Sequence, residues 1–156
     1  MRSNKNNQKK GMVDVGAKDT TQRTAIASAT VILNKDAYKE LMGKGSPKGD
    51  VFETAKIAGI MAAKDTSRLI PMCHPLGLDK VHMEFFPNDK KCSIEIRSEV
   101  SCFARTGVVM ESLSAVSIAA LTIYDMMKWK DKAIVVEQVK LLYKAGGKSG
   151  EYIRKK

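Results

Sequence analysis

Small apolar and polar side chains alternate along the segment Thr24 to Leu33, the first regular pattern in the chain. Successive side chains of a strand point to opposite faces, so a period of two predicts a strand with one buried face. The apolar face of this segment carries Ala25, Ala27, Ala29, Val31 and Leu33. A short helix from Lys35 to Met42 is expected next, and the breaker-rich sequence G-K-G-S-P then ends it.

Two longer segments have apolar residues at helical spacing. In the first, Asp50 to Lys64, the pattern predicts a helix that runs on to Leu69. Its stripe consists of small residues, which let another element approach closely: Ala55, Ala58, Gly59, Ala62 and Ala63. The second, Thr106 to Lys128, is apolar on nearly every face, which is typical of a helix buried in a core or between subunits.

The remaining segments have loop and strand patterns. Two prolines between Arg68 and Leu78 predict an ordered, non-helical connection. Alternation at Val81 to Phe85 and at Ser93 to Val100, on either side of the turn sequence P-N-D, predicts a β-hairpin. Residues Ala133 to Tyr143 are rich in strand formers, and the sequence G-G-K-S-G from Gly146 is expected to close the ordered part.

The order of these elements defines a fold class. Strand, helix, strand, strand, helix, strand is the order of the ferredoxin-like α+β fold, β-α-β-β-α-β. In that fold an antiparallel sheet carries both long helices on one face. A length of 156 residues fits one such domain.

The composition of the chain predicts where in the cell the protein is located. The least charged stretch, Ser112 to Tyr124, is shorter than the roughly 20 residues that span a bilayer. The N-terminus is polar and basic, without the apolar core of a secretory signal. The cysteines are odd in number and have no C-x-x-C spacing: Cys73, Cys92 and Cys102. These features predict a cytoplasmic protein with reduced thiols and no membrane span.

The formal net charge of +10 predicts attraction to anions, because clustered lysine and arginine side chains concentrate phosphates around them. Nucleic acid and small phosphorylated metabolites both qualify. The strands lack the aromatic signature of RNA-recognition folds, and only 6% of the residues are aromatic, which argues against nucleic acid. Part of the charge lies at the two termini, where it also keeps the chain solvated.

An acid and an amine stand three positions apart near the end of the longest predicted helix. At this spacing Asp125 and Lys128 project from the same helix face. Each can shift the pKa of the other, as general acid–base catalysis requires. An ordinary surface ion pair has the same spacing, and the pattern leaves both interpretations open.

Two other positions have a functional and a structural interpretation. His74 lies between prolines in I-P-M-C-H-P-L, which fits either an acid–base or ligand role or a hydrogen-bonded turn, and no second histidine completes a metal site. His82 falls on the polar face of its strand and is interpreted as structural.

Lys48 precedes a helix start, where free N–H groups and the helix dipole favour an anion. The alternative is a solvated lysine followed by the helix cap Asp50.

The sequence G-G-K-S-G near the C-terminus is similar to part of a phosphate-binding loop. The full pattern G-x-x-x-x-G-K-S would need glycine where Leu142 stands, and no helix is predicted to follow, so this loop is rejected. Lys144 and Lys148 then belong either to a flexible pocket edge or to an unstructured tail.

Five motifs together resemble the cyclic pyranopterin monophosphate synthase family, the accessory protein C of molybdenum cofactor biosynthesis. They are M-V-D-V-G-A-K from Met12, K-G-D-V-F-E-T-A-K-I-A-G-I from Lys48, I-P-M-C-H-P-L from Ile70, L-T-I-Y-D-M-M-K from Leu121 and G-G-K-S-G from Gly146. The resemblance spans roughly residues 11 to 152, in order and without large gaps. It implies a single catalytic domain at residues 12–152, between a disordered basic arm at 1–11 and a basic tail at 153–156.

The resemblance also implies a reaction and an assembly. The substrate is expected to be 3′,8-cyclo-7,8-dihydroguanosine 5′-triphosphate, which a lyase of this family converts to cyclic pyranopterin monophosphate with release of diphosphate. No metal and no organic cofactor are expected. The fold is expected to be ferredoxin-like, assembled as a homohexamer, a trimer of dimers, with active sites at subunit interfaces.

Site residues follow from the matching motif positions. The resemblance implies catalytic roles for Asp125, Lys128 and Lys48. It implies substrate binding by Met72, Cys73, His74, Met110, Glu111, Arg23 and Lys144. Lysines would neutralise the triphosphate and the leaving diphosphate, while Asp125 and a lysine move protons as one ring opens and the other closes.

One motif departs from the family pattern. Where the family reads K-T-G-V-E-M-E, this chain has R-T-G-V-V-M-E, with Arg105 in place of a lysine and Val109 in place of a glutamate. This departure leaves a catalytically weakened family member as one alternative to an active synthase. The basic charge and the ferredoxin-like order of elements leave a nucleic-acid-binding module as another.

Overall fold

The computed structural model describes residues 10–155, so most of the predicted basic arm and the last residue lie outside it. In chain order the elements are β1 (Thr21–Ile32), α1 (Lys35–Gly43), α2 (Val51–Lys64), α3 (Thr66–Leu69), β2 (Lys80–Asn88), β3 (Ser93–Ala104), α4 (Val109–Met127), β4 (Val135–Ala145) and β5 (Tyr152–Ile153).

The five strands form one antiparallel sheet in the order β2-β3-β1-β4-β5. This order and the two long helices α2 and α4 confirm the predicted ferredoxin-like α+β fold. Strand β1 lies in the middle, and the apolar positions predicted for its inner face are all buried. The opposite face of β1 is less covered, although Ser28 is buried there as well.

The two long helices pack closely against each other on one face of the sheet. They approach closely at Gly59 of α2, where a Cβ atom would lie 2.8 Å from Met83 Cε and 2.9 Å from the carbonyl oxygen of Ala115 in α4. The small residues Ala55, Ala62 and Ala63 of α2 are also buried, whereas Ala58, the fifth residue of the predicted stripe, is half-buried. The stripe of small side chains therefore has the packing role that its spacing predicts.

Helix α4 is the main core helix, and its central residues Val116, Ala120 and Ile123 are fully buried. Among residues 10–155 it is the one helix long and apolar enough to cross a bilayer, but half of its most apolar stretch is buried inside the fold. No membrane span is indicated. The fold does not cover the whole apolar surface of this helix, because the side chain of Leu121 is 54% exposed.

Two predicted elements end differently in the structure. The first long helix stops at Lys64 instead of running on to Leu69, and the residues beyond Asp65 form the separate short helix α3. The buried hydroxyl of Thr66, which donates to the carbonyl of Ala62, ties α3 to α2 at this break.

The sequence from Gly146 does not close the ordered part. Strand β5 follows it and pairs with β4, with Tyr143 opposite Ile153 and Lys144 opposite Tyr152. The backbone N–H of Arg154 also donates to the carbonyl of Leu142. A tertiary contact therefore orders a two-residue strand that carries no periodic signal of its own.

Candidate active site at the two ends of helix α4

Three charged side chains meet at the C-terminal end of α4. The Oδ2 atom of Asp125 lies 2.6 Å from Lys48 Nζ, and its Oδ1 atom lies 2.8 Å from Lys128 Nζ. All three side chains are about half exposed, at 55% for each lysine and 49% for the aspartate. We refer to Lys48, Asp125 and Lys128 as the lysine–aspartate cluster.

A hydrogen-bonded loop brings Lys48 to this helix end from a distant part of the chain. The hydroxyl of Ser46 donates to the carbonyl of Met126 at 2.7 Å and accepts from the backbone N–H of Lys48 at 3.2 Å. Asp50 then begins α2 as its N-cap, since its side chain accepts from the N–H of Glu53 at 3.0 Å. The capping role weighed for Asp50 is confirmed, and Lys48 pairs with a carboxylate of α4.

The two ammonium groups keep the carboxyl group of Asp125 ionised. Hydrogen bonds from Lys128 and then from Lys48 lower the pKa of Asp125 to about 2. The hydrogen bond to Asp125 in turn raises the pKa of Lys128. At neutral pH this cluster therefore contains a carboxylate that can accept a proton and a protonated lysine that can donate one.

A cavity of about 410 Å³ opens at the other end of α4. Its walls come from the segment before β1, the ends of β1 and β4, the connection after α3 and the start of α4. The seven side chains that the resemblance assigns to substrate binding all line it: Arg23, Met72, Cys73, His74, Met110, Glu111 and Lys144. Residues distant in sequence are thus collected around one volume.

The guanidinium of Arg23 is the most deeply buried cation of this cavity, and the residue is only 9% exposed. It donates to three backbone carbonyls, from Nε to Ala104 at 3.3 Å, from Nη2 to Arg105 at 3.1 Å and from Nη1 to Gly146 at 3.2 Å. Within residues 10–155 no carboxylate pairs with it. A buried guanidinium with neutral partners and two N–H groups to spare favours an anion in the cavity.

A buried carboxyl group faces the same cavity. Glu111, in the first turn of α4, is 4% exposed, and burial raises its pKa, although a hydrogen bond from its own backbone N–H opposes the shift. Burial and then the charge of Glu111 raise the pKa of Cys73. Cys73 therefore stays a thiol, and Glu111 takes up a proton more readily than an exposed glutamate does.

The neighbouring polar residues differ in how they are held. The ammonium of Lys144 donates to Ser149 Oγ at 3.1 Å, so the loop after β4 forms a pocket edge. The imidazole of His74 is half-buried and has no hydrogen-bond partner within the described part of the chain. The interpretation of His74 as a hydrogen-bonded turn residue therefore has no support in this structure.

The cavity also contains residues that sequence reasoning missed. Lys18 lines it, together with Val13 and Val15 of the segment before β1. The available signal was the motif that begins at Met12, because it ends on Lys18. The substituted position Val109 is the first residue of α4 and also lines the cavity, whereas Arg105 contributes its backbone carbonyl.

The two groups of residues are too far apart to form one site within a single chain. Glu111 and Asp125 are separated by about 21 Å along α4, at the rise of an α-helix. Between residues 10 and 155 no three His, Cys, Asp or Glu side chains are close enough to hold a metal ion. The charged and polar side chains at the two ends of α4 can hydrogen-bond, neutralise charge and transfer protons.

Comparison with known proteins gives a consistent result. A model of the MoaC family matches residues 12–147. A protein of Desulfatibacillum aliphaticivorans named cyclic pyranopterin monophosphate synthase is 53% identical over 142 residues, which cover 91% of this chain and 89% of the relative. Proteins with the same name are 50% identical in Helicobacter pylori (98% and 96% covered) and in Heliobacterium modesticaldum (92% and 90% covered).

The ferredoxin-like fold and a cavity with a buried arginine and a buried carboxyl group define an α+β enzyme for an anionic small molecule. The relatives cover nearly the whole of this chain at about half identity, and the family model spans most of it. The chain belongs to the MoaC family, and it is an enzyme of the lyase class in molybdenum cofactor biosynthesis.

Proposed function

We propose that the protein converts 3′,8-cyclo-7,8-dihydroguanosine 5′-triphosphate to cyclic pyranopterin monophosphate and releases diphosphate, in the cytoplasm and without a metal or organic cofactor. Family membership supports the reaction. The observation that carries it in this structure is the cavity around Arg23, where an uncompensated guanidinium stands beside two lysines. Such a cavity suits a triphosphate chain and a leaving diphosphate.

The cavity is lined by cationic side chains, which suit the phosphates, and by neutral side chains, which suit the base and sugar. Arg23, Lys18 and Lys144 are the groups that would neutralise the phosphates. Met72, Cys73, His74 and Met110 would contact the base and sugar, with the carboxyl of Glu111 available to hydrogen-bond their polar edges.

The lysine–aspartate cluster would transfer the protons. Because Lys128 is protonated at neutral pH, it serves as the general acid, and Lys48 holds Asp125 in place from the other side. Asp125 begins as a carboxylate, and displacement of one lysine by the substrate would remove a hydrogen bond that keeps its pKa low, so that it could then accept a proton. In this scheme the carboxylate starts the reaction as a base and the ammonium starts it as an acid.

The distance between the two groups leads to a composite site. We infer that the cavity of one subunit is completed by the lysine–aspartate cluster of a neighbouring subunit, within the homohexamer, a trimer of dimers, that the resemblance implies. Exposed apolar side chains on the helical layer support an interface there. Ile57 and Met61 of α2 are 54% and 56% exposed, and Leu121 of α4 is 54% exposed.

Complementation between two inactive variants tests both the reaction and the composite site. Asp125→Ala and Glu111→Gln are each expected to lose turnover of the cyclised nucleotide, measured as diphosphate release. After unfolding and refolding together, mixed dimers contain one intact site, so activity should return to about a quarter of the wild-type value if subunits pair at random. Mixing that restores nothing would contradict the composite site, and a wild-type protein without turnover would contradict the proposed reaction.

The position of Val109 favours a second candidate function for the protein, that of a catalytically weakened member of the family. Val109 lines the cavity at the first position of α4, where a carboxylate would also interact well with the helix dipole. Val109→Glu replaces it with the residue usual in the family. A rise in kcat of tenfold or more would favour the weakened member, and an unchanged rate would favour a fully active enzyme.

A further inference from the structure

The turn between β4 and β5 lies directly against Arg23, and this contact explains the two adjacent glycines in it. Gly146 and Gly147 both have positive φ angles, of 102° and 76°. A Cβ atom on Gly147 would lie within 2.6 Å of Arg23 Cζ and closer still to Nη1. A Cβ atom on Gly146 would be 3.0 Å from Arg23 Cδ and would overlap the carbonyl oxygen of Gln22. Neither position has room for a side chain.

The same turn also supplies one of the three hydrogen bonds that orient the guanidinium. The carbonyl of Gly146 accepts from Nη1, while the other two acceptors, Ala104 and Arg105, come from the end of β3. Arg23 is thus held from two sides, by the end of β3 and by the glycine turn. The guanidinium plane is set by backbone atoms, which do not rotate as side chains do.

Strand β5 holds the far end of the turn. Tyr152 and Ile153 pair with β4, and the guanidinium Nε of Arg154 donates to the carbonyl of Leu141 at 2.6 Å. Within the turn, the N–H of Gly150 donates to the carbonyl of Gly147 at 3.2 Å. Both ends of the turn are therefore anchored on the sheet beside Arg23.

We propose that Gly146 and Gly147 are positioning residues, which hold the Arg23 guanidinium in the orientation that presents its free N–H groups to the phosphates of the substrate. They act through Arg23, although Gly146 also lines the cavity with its backbone. This inference rests on the proposed function for its ligand. The orientation of Arg23 can be measured without any ligand, so the two can fail separately.

The structure provides a matched control for the test. Gly147→Ala introduces a side chain at positive φ and pushes it into Arg23. Gly150→Ala introduces the same side chain at a φ of 67°, with similar backbone strain, but no atom lies within 4 Å of the new Cβ. Any difference between the two variants therefore reports the displacement of Arg23.

The first measurement is the NMR signal of the Arg23 Nε–H group in the free, full-length protein. Because this group is buried and hydrogen-bonded to Ala104, it should give a resolved, slowly exchanging signal in the wild type. Gly147→Ala is expected to shift that signal and accelerate its exchange, and Gly150→Ala is expected to leave it unchanged. An unchanged signal in Gly147→Ala would overturn the proposal, whether or not the protein has turnover.

The second measurement is the affinity for inorganic diphosphate by calorimetry, combined with Arg23→Gln. Gly147→Ala should weaken binding about tenfold, as expected when charge-assisted hydrogen bonds are misaligned, and Gly150→Ala less than about twofold. In the Arg23→Gln background, Gly147→Ala should have no further effect. An equal loss in both backgrounds would show that the glycine acts on the fold and would overturn the proposal.

Failure of the proposed function would have a different signature. A wild-type protein that binds no diphosphate and turns over no cyclised nucleotide would contradict the assigned ligand, while the Arg23 signal would still decide the positioning role. If turnover is present, Gly147→Ala should raise KM more than it lowers kcat, because Arg23 binds phosphates and transfers no proton. A loss confined to kcat would count against the proposal.

Discussion

The two ends of helix α4 carry charged groups in opposite environments. At the N-terminal end, Arg23 and Glu111 are buried around a cavity, and burial raises the pKa of the carboxyl group. At the C-terminal end, Asp125 lies half exposed between two lysines, which lower its pKa to about 2. The first end is a cavity whose lysines and arginine are assigned to phosphates, and the second is an acid and amine cluster that is open to water.

On the proposed function, this difference means that neither end is a complete active site in a single chain. A charge pair open to water transfers protons to water as easily as to a substrate, so an exposed cluster gains selectivity only when another surface covers it. The lysines of the cavity, Lys18 and Lys144, are assigned to the phosphates, so the proposed proton transfer depends on Lys128 at the other end. Each end therefore has what the other lacks, and substitutions at the two ends should have different signatures.

The largest effect is expected at the lysine–aspartate cluster. Lys128→Ala should lower kcat by about 10³-fold, because it removes the proposed general acid. The melting temperature should change little, because the ion pairs are solvent-exposed and such pairs contribute little to stability. Steady-state turnover of the cyclised nucleotide and thermal unfolding are the two measurements.

The matched control for this variant is Lys56→Ala, which breaks another exposed lysine–carboxylate pair, the one with Glu53. It should leave kcat within about twofold, since the pair has no proposed role. If turnover survives in Lys128→Ala, and also in Lys48→Ala and Asp125→Ala, the cluster is not the site of proton transfer.

A smaller loss of rate is expected at the buried end, together with a gain in stability. Glu111→Gln should lower kcat by about 10²-fold, because it removes a carboxyl group from the cavity. The folded-state pKa of Glu111 is raised, so its ionisation destabilises the fold, increasingly as the pH rises above about 4.5. The melting temperature of the variant should exceed that of the wild type, and the difference should widen as the pH rises above about 4.5, until the folded-state pKa has been passed.

Glu137→Gln is the control for the pH dependence, because Glu137 is exposed on β4. Its melting temperature should follow the wild type at every pH. A Glu111→Gln variant that is less stable than the wild type at neutral pH would contradict the account of a buried carboxyl group without a compensating partner.

Helix α4 connects the two ends, and its packing against α2 can be tested by a change of stability without any substrate. Gly59→Ala should destabilise the fold by about 1–3 kcal/mol, because the new methyl group would overlap Met83 and the backbone of α4. Gly43→Ala is the matched control, since its Cβ meets nothing within 4 Å at the end of α1. Chemical denaturation of both variants checks the prediction, and equal stability of the two would contradict the close helix contact.

The smallest effect is the titration of Asp125. Its pKa is lowered from 3.8 to about 2, so the stabilising contribution of its ion pairs is complete above the unfolded-state value and is lost as the pH falls from about 4 to about 2. The carboxyl carbon signal of Asp125 should follow this transition by NMR. Lys128→Met should raise the midpoint, and a wild-type midpoint near that of a free aspartate would show that the cluster is open in solution.

The sequence predicts the local parts of the fold well. The period of two in β1 and the small-residue stripe of α2 depend on neighbouring residues, and both have the burial that their spacing predicts. The break at Asp65 and the strand β5 depend on tertiary contacts, namely the Thr66 hydroxyl bond to Ala62 and the pairing of Ile153 with Tyr143. Such contacts leave no periodic pattern in the sequence.

The same difference between local and tertiary contacts decides which parts of the candidate site could be predicted from the sequence. The contact of Asp125 with Lys128 follows from helical spacing. The contact with Lys48, 77 residues away, could be inferred only from the motif resemblance. The three carbonyl partners of Arg23 were not predictable, because backbone acceptors carry no residue signature.

The position of β1 in the centre of the sheet has a consequence for synthesis on the ribosome. This strand emerges first among the strands, but both of its partners, β3 and β4, are made much later. The side chain of Arg23 completes its hydrogen bonds late, since its last acceptor, the carbonyl of Gly146, lies 123 residues downstream. A nascent chain therefore holds its central strand unpaired until β3 and β4 have been made, and the anion cavity closes only after Gly146 has left the exit tunnel.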